Sequence, residues 1–208
     1  RADLRRALPF SVAWFTSASM ASWDKALVLR LAGAELSGLY AVAYRFASFV
    51  ALPMDSLVMA VTPRLFRHGL GGNDQGLMRY ALASTLGFGV LACAVVWLFA
   101  PALPWLLGND FLPSADLVKG IALMIPFYGV RQLGAHVLVT HGRRASRIGL
   151  DLCALALMSA LAIALIPSRG ISGAIAMIVA AEAFLCVTTW AVAIPAIRAA
   201  RARDEGGA

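Results

Sequence analysis

Charge is scarce in this sequence. Of its 208 residues only 14% are Asp, Glu, Lys or Arg, while 61% are hydrophobic. A soluble domain of this size needs far more polar surface to cover its core, so that class is excluded. Period-two alternation of polar and apolar residues is missing as well, which excludes a transmembrane barrel. Cysteine is sparse: Cys93, Cys153 and Cys186 lie inside apolar runs without metal-ligand spacing. They read as small apolar filler, and no disulfide framework is implied. There is no Walker motif, no metal-binding His pair and no acid–base dyad. Neither an enzyme, nor a cofactor, nor a bound metal is therefore expected. No Pro-rich or Ser-rich linker interrupts the chain, so residues 1–208 read as one domain. A cleavable signal peptide is lacking too, and the opening residue is Arg1 rather than Met, which reads as an excerpt of a longer protein.

What the sequence does have is long apolar runs. Several reach the roughly 20 residues that a helix needs to cross a bilayer, so the expected class is all-α, a polytopic membrane protein. Six spans are expected. They cover about Leu8–Leu31, Gly38–Val61 with Pro53 as a kink, Met78–Ala100, Ala115–Thr140 with Pro126 inside, Arg147–Ile166 and Ile171–Ile197. The first two are joined by a short loop, Gly33-Ala34-Glu35-Leu36-Ser37-Gly38. The outer segment Pro101–Phe111 holds Trp105 and Phe111, which suit a headgroup interface, and its Pro104 and Gly108 suggest a half-helix or turn. Residues 199–208 are polar and small, the composition of a flexible cytoplasmic tail.

The net charge of +7 would suggest nucleic acid in a soluble protein. Here its placement matters more. Arg1, Arg5 and Arg6 precede the first span; Arg64, Arg67 and Arg79 fall between the second and third. Arg143, Arg144 and Arg147 fall between the fourth and fifth, and Arg198, Arg201 and Arg203 follow the sixth. The other connections hold almost no positive charge, Arg169 excepted. By the positive-inside rule both ends are cytoplasmic, and no nucleic-acid partner is expected.

Within the spans a few charges stand out: Asp24, Lys25, Arg45, Asp55, Arg131 and Glu182. A charge at the centre of a membrane helix costs about 2.5–3.5 kcal/mol on insertion scales, and such residues generally face a bundle interior or a wet cavity. Asp24 and Lys25 lie roughly 10 Å below the outer end of the first span, and Arg45 lies at a similar depth in the second. An Asp24–Arg45 pair is then within reach, leaving Lys25 unpaired. Arg131 and Asp55 share a second depth and make a second candidate pair, while Glu182 has no evident partner. Ser17 shares a helix face with Asp24, as do Ser19 and Ser22 with Lys25. Tyr44, Ser48 and Asp55 fall on one side of the second span; Tyr128, Gln132 and His136 form a stripe beside Arg131. The blander readings are structural. Arg30 and Lys119 snorkel to headgroups, Asp151 pairs with Arg147 one turn away, and His136 is a helix contact.

The order of motifs resembles a known family. Gly38-Leu39-Tyr40-Ala41-Val42-Ala43-Tyr44-Arg45 opens a span that carries Pro53 and ends at Pro63-Arg64-Leu65. Leu107-Gly108-Asn109-Asp110-Phe111 precedes the fourth span, and Pro167-Ser168-Arg169-Gly170-Ile171-Ser172-Gly173-Ala174 leads into the span with Glu182. This is similar to the second half of the polysaccharide transporters of the multidrug/oligosaccharidyl-lipid/polysaccharide exporter superfamily, the Wzx-type O-antigen flippases among them. The resemblance implies a six-helix bundle forming the C-terminal lobe of a two-lobe transporter in the bacterial inner membrane. It implies flipping of a polyprenyl-pyrophosphate-linked oligosaccharide by alternating access, with membrane lipids and the N-terminal lobe as partners. In that reading Lys25, Arg45 and Arg131 are the cavity cations. Asp24, Asp55 and Glu182 serve ion coupling or charge pairing, and Tyr44, Tyr128, Gln132 and His136 are cavity polar groups. Phosphate is suited by Arg, which offers bidentate hydrogen bonds, and by Lys as a point charge. The competing readings are a cation-coupled multidrug antiporter lobe, a membrane glycosyltransferase or ligase, and an accessory subunit that only assists assembly.

Overall fold

The computed structural model describes the backbone of residues 2–68, 75–102, 105 and 112–206, and the side chains of 22–62, 76–102, 105, 115–200 and 202. The described elements are helices α1 (Ala2–His68), α2 (Gln75–Phe99), α3 (Leu112–Ala122), α4 (Met124–Thr140), α5 (Arg144–Arg169) and α6 (Ile171–Gly206), with a 3-10 turn Ala100–Ala102 after α2. Among the described residues, five helical segments are long and apolar enough to cross a membrane: Ser22–Thr62, Gly76–Ala102, Ala115–Thr140, Arg144–Arg169 and Ile171–Ala200. The polar stretch after Ile197 continues α6 as far as Gly206.

Helix α1 has 67 residues. Straight, it would be about 100 Å long, against a hydrocarbon core of about 30 Å. It breaks at Gly33, whose φ of 86° and ψ of 174° lie in a region that residues with a Cβ avoid. The Tyr40 hydroxyl stands 2.8 Å from Asp24, 16 residues earlier. Sixteen residues of unbroken helix would separate them by about 24 Å, so the chain doubles back at Gly33 into two arms. The expected six-residue loop is thus corrected. Residues 34–38 are helical, and Gly33 alone leaves helical geometry. Pro53 likewise sits within continuous helix, without a residue of non-helical φ/ψ. The span over Ala115–Thr140 does break, at Leu123, between α3 and α4.

Sequence period explains which faces turn inward. Along the second arm of α1, Tyr40, Ala43, Ala47, Ala51, Met54 and Val58 are buried at steps of three and four. On α5 the buried stripe is Asp151, Ala154, Met158, Ala162 and Ile166. Outward positions are also apolar: Phe49, Met59, Leu98, Ile163 and Val187 are each more than 60% exposed. A helix apolar all round faces lipid on its outer side. The helices form a circuit: α1 packs on α2, α2 on α4, α4 on α6, α6 on α5, and α5 back on α1.

Connections obey ordinary capping chemistry. After α4, Gly142 has φ 71°, the Arg143 N–H donates to Leu138 O at 2.8 Å and the Gly142 N–H to Val139 O at 3.1 Å. This is a Schellman cap, in which a left-handed glycine closes the last carbonyls. At the α5–α6 junction Gly170 has φ 55° and donates to Ile166 O at 2.8 Å. Gly173 then lies so close to α5 that a Cβ would overlap the Leu165 carbonyl oxygen. This accounts for the spacing of the Pro167–Ala174 motif. The expectations for the second connection (Pro63–Arg64–Leu65 and Arg67) and for Pro104, Gly108 and Phe111 lie outside the described side chains or backbone, while Trp105 is 93% exposed.

Gly173→Ala is expected to lower the thermal midpoint of the detergent-solubilised protein, with a loss of about 1–3 kcal/mol from overpacking. Gly149 has open space around it, so Gly149→Ala should leave the midpoint unchanged or raise it by its better helix propensity. Equal melting of the two variants would show that the α5–α6 contact is looser than described.

Candidate functional site

Four of the helices in the circuit contribute polar side chains to one interior cavity of about 320 Å³. From α1 come Tyr44, Ser48 and Asp55, at i, i+4 and i+11, which share a helix face. From α4 come Tyr128, Arg131 and Gln132; from α5, Arg147 and Asp151; from α6, Glu182. Met124, Ile125, Met158 and Ile178 supply apolar wall. The volume falls at the lower end of small-molecule sites.

Two hydrogen-bonded groups organise this wall. In the first, Arg131 Nε donates to Glu182 Oε2 at 2.7 Å, and Nη2 reaches Oε1 at 3.4 Å. The contact is a two-point guanidinium–carboxylate pair between α4 and α6, and both side chains are largely buried. The guanidinium also stands 5.1 Å from the Tyr128 ring centroid, within cation–π range. In the second group the Tyr128 hydroxyl donates to Asp55, 3.0 and 3.1 Å from its two oxygens, and accepts from Gln132 Nε2 at 3.3 Å. This order runs from amide to phenol to carboxylate, across from α4 to α1.

A third group sits next to the cavity, where the two arms of α1 meet. Asp24 is fully buried. It accepts from the Tyr40 hydroxyl at 2.8 Å and pairs with Lys25 at 3.2 Å. The Lys25 ammonium also lies 3.6 Å from the Tyr44 ring centroid. Tyr44 lines the cavity, so one aromatic ring carries a cation on one side and borders the cavity with another part. Tyr40 and Tyr44 are four residues apart, and their rings are 6.2 Å apart, so both reach the first arm from the same helix face.

Several expected pairings are corrected. Arg45 does not meet Asp24; it is exposed. The reason is helical phase: the buried stripe passes through Tyr40, Ala43 and Ala47, and one residue beyond Tyr44 the helix has turned away from it. Lys25 is not left unpaired, because its neighbour Asp24 takes that place. Arg131 pairs with Glu182 and not with Asp55, whose partner is the neutral Tyr128. Glu182, expected without a partner, has the shortest charged contact described, because it occupies the buried stripe of α6 with Ala181 and Leu185. Of the candidate residues, Tyr44, Asp55, Tyr128, Arg131, Gln132 and Glu182 meet at the cavity. Lys25 and Asp24 stand behind Tyr44. His136 lies off the cavity lining, with Nδ1 3.3 Å from Thr62 Oγ1. Ser17 and Ser19 lie outside the described side chains.

Three contributors escaped the sequence reading. Tyr40, a residue of the Gly38–Arg45 motif, is the donor to Asp24. Arg147 and Asp151, expected as a local pair one turn apart, both line the cavity. The signal for Asp151 was present in its register with Ala154 and Met158 on the buried face of α5. Of the remaining outward charges, Lys119 contacts Asp116 at 3.4 Å, and Arg30 is exposed. Among the described residues there is no group of three or more His, Cys, Asp or Glu side chains able to hold a metal ion.

Comparison with family models, with curated proteins and with solved structures finds no match to this chain.

The Asp24 group generates a coupling test. Tyr40→Phe is expected to destabilise the protein by about 1.5–3 kcal/mol, the range for a hydrogen bond to a charged group. Asp24→Ala and Tyr40→Phe together should destabilise by less than the sum of the singles, because each removes the same bond. Arg45→Gln should change stability by no more than about 0.5 kcal/mol, as for a surface site. Thermal denaturation of the four variants checks this, and strict additivity of the Asp24 and Tyr40 effects would sink it.

Proposed function

We propose that this chain is one lobe of a bacterial inner-membrane transporter that flips polyprenyl-pyrophosphate-linked oligosaccharide during polysaccharide or O-antigen assembly. One observation carries the reading: a cavity lined by carboxylates, guanidinium groups, phenols and an amide, enclosed by helices whose outer faces are apolar. Polar residues at membrane depth are expensive and mark pathways for polar cargo. Sugar hydroxyls match Asp55, Tyr128 and Gln132 as alternating acceptors and donors. A pyrophosphate matches Arg131 and Arg147. The polyprenyl tail needs no site, because apolar side chains such as Phe49 and Ile163 face outward where lipid lies.

The topology of the proposal counts the two arms of α1 as separate crossings, giving six, with both termini in the cytoplasm. The Arg-rich turn after α4 supports that orientation, and the family resemblance of the motifs supports a second lobe across the cavity.

A second reading, a cation-coupled antiporter lobe, draws on one observation. Three carboxylates, Asp55, Asp151 and Glu182, line the cavity against two guanidinium groups, Arg131 and Arg147. The cavity is therefore less cationic than a site built for anions alone.

The decisive experiment depletes the full-length protein in its native cells and follows lipid-linked oligosaccharide on each face of the inner membrane. Depletion should trap it on the cytoplasmic face. A Tyr128→Phe, Gln132→Leu double variant should restore at most about one-tenth of the flux, equivalent to roughly 1.4 kcal/mol in the barrier. Full restoration at equal membrane abundance would remove the polar row from the transport path. The antiporter reading instead predicts proton flux driven by an organic cation in proteoliposomes, abolished by Asp55→Asn.

A further inference from the structure

We propose that the Arg131–Glu182 pair is an exchangeable latch. A phosphate-type anion entering the cavity takes Arg131 from Glu182, so that the anion and the carboxylate compete for one guanidinium. This rests on the transporter reading above and specifies how its cavity answers an anionic ligand.

Geometry makes the exchange direct. Arg131 commits Nε and Nη2 to Glu182, and among the described residues Nη1 makes no hydrogen bond. The same guanidinium lines the cavity together with Arg147. An anion there meets one arginine with a donor to spare and a second beside it. Because a guanidinium presents its donors as a rigid fork, a multi-oxygen anion can replace a carboxylate on the same edge.

Competition follows from the surroundings of Glu182. Its side chain is only 10% exposed, and its buried neighbours on α6 are Ala181 and Leu185. Asp55 and Asp151 on the other walls of the cavity carry its own sign. An anion that takes Arg131 therefore leaves a largely buried carboxylate without its guanidinium, and that loss opposes binding of the anion. When the anion leaves, the pair re-forms.

The latch also has a mechanical side. The α4–α6 seam has two polar ties among the described residues. One is the Arg131–Glu182 pair. The other is Trp190 Nε1 donating to Val130 O at 2.8 Å, where Gly134 packs against Thr189 and Trp190. Glu182 and Trp190 are about 12 Å apart along α6. Exchange at Arg131 frees one end of the seam while the tryptophan end stays fixed, so anion binding loosens the cavity wall on one side.

The test is calorimetric titration of the purified full-length protein in dodecyl maltoside with inorganic pyrophosphate. Glu182→Gln removes the competing charge but keeps the shape, and it should bind pyrophosphate at least tenfold more tightly than wild type. Arg147→Gln should weaken binding at least tenfold, which covers the case in which Glu182→Gln does not fold. Equal affinity of wild type and Glu182→Gln, or of wild type and Arg147→Gln, overturns the latch. The readouts use no oligosaccharide. A working latch in a protein that moves no lipid-linked glycan therefore refutes the proposed cargo and leaves the latch standing, whereas glycan flux without the affinity gain refutes the latch alone.

Discussion

Burial of charge among apolar helices is the constraint on which this structure turns. An ion pair inside a bundle does little for net stability, because desolvation offsets the attraction. Breaking one, however, strands a charge where neither water nor a counterion replaces it. Arg131 and Glu182 are held in that relation, two-point and nearly enclosed. Their positions fix the facing registers of α4 and α6. Once that register is set, Tyr128 and Gln132, three residues before Arg131 and one after, are turned toward Asp55 on α1. The polar wall is a consequence of one pair and the helical repeat.

Gly33 has the matching role at the other end of the sequence. Its left-handed φ reverses α1 without a loop, and the reversal is what brings Tyr40 to Asp24. The acid is buried beside its own sequence neighbour Lys25, a spacing at which side chains on a helix ordinarily diverge. Tyr40 and Tyr44 resolve this by approaching from the second arm, one as a hydrogen-bond donor and the other as a cation–π face. Each of these contacts is local, yet together they tie the α1 reversal to the cavity through Tyr44.

Much of this was legible in the sequence, and the part that was not has a physical reason. Apolar runs are long enough to show helices that could cross a membrane and nearly all helix positions, because a span demands length and hydropathy over many residues. The inward faces of α1 and α5 were legible in steps of three and four through Ala43, Ala47, Ala51, Ala154, Met158 and Ala162. Pair partners were not. Depth along a span is set by counting residues, and Asp24 and Arg45 do share a depth. Azimuth is set by which neighbour a helix packs on, and that is a property of the whole circuit. For this reason residue counting sets Arg45 beside Asp24 and finds no partner for Glu182. The loop expected around Gly33 is longer than the observed break because a single glycine of positive φ suffices to reverse the helix.

The site itself lies between two electrostatic designs. A cavity for an anion should carry excess positive charge, and one for a cation excess negative charge. This one holds both signs in near balance, with its strongest cation already engaged by an acid. A transporter gains from such balance. An empty cavity with its charges satisfied is stable enough to change conformation across an apolar layer, whereas an unsatisfied cluster of arginines would be anchored to the nearest counterions. Under the transporter reading proposed above, a charged cargo enters by substitution rather than by addition, taking the place of a side chain that was already solvating its partner. The free energy of binding becomes the difference between two similar contacts, which keeps affinity moderate. Moderate affinity is what a carrier requires, since the cargo must leave on the far side through the same set of residues.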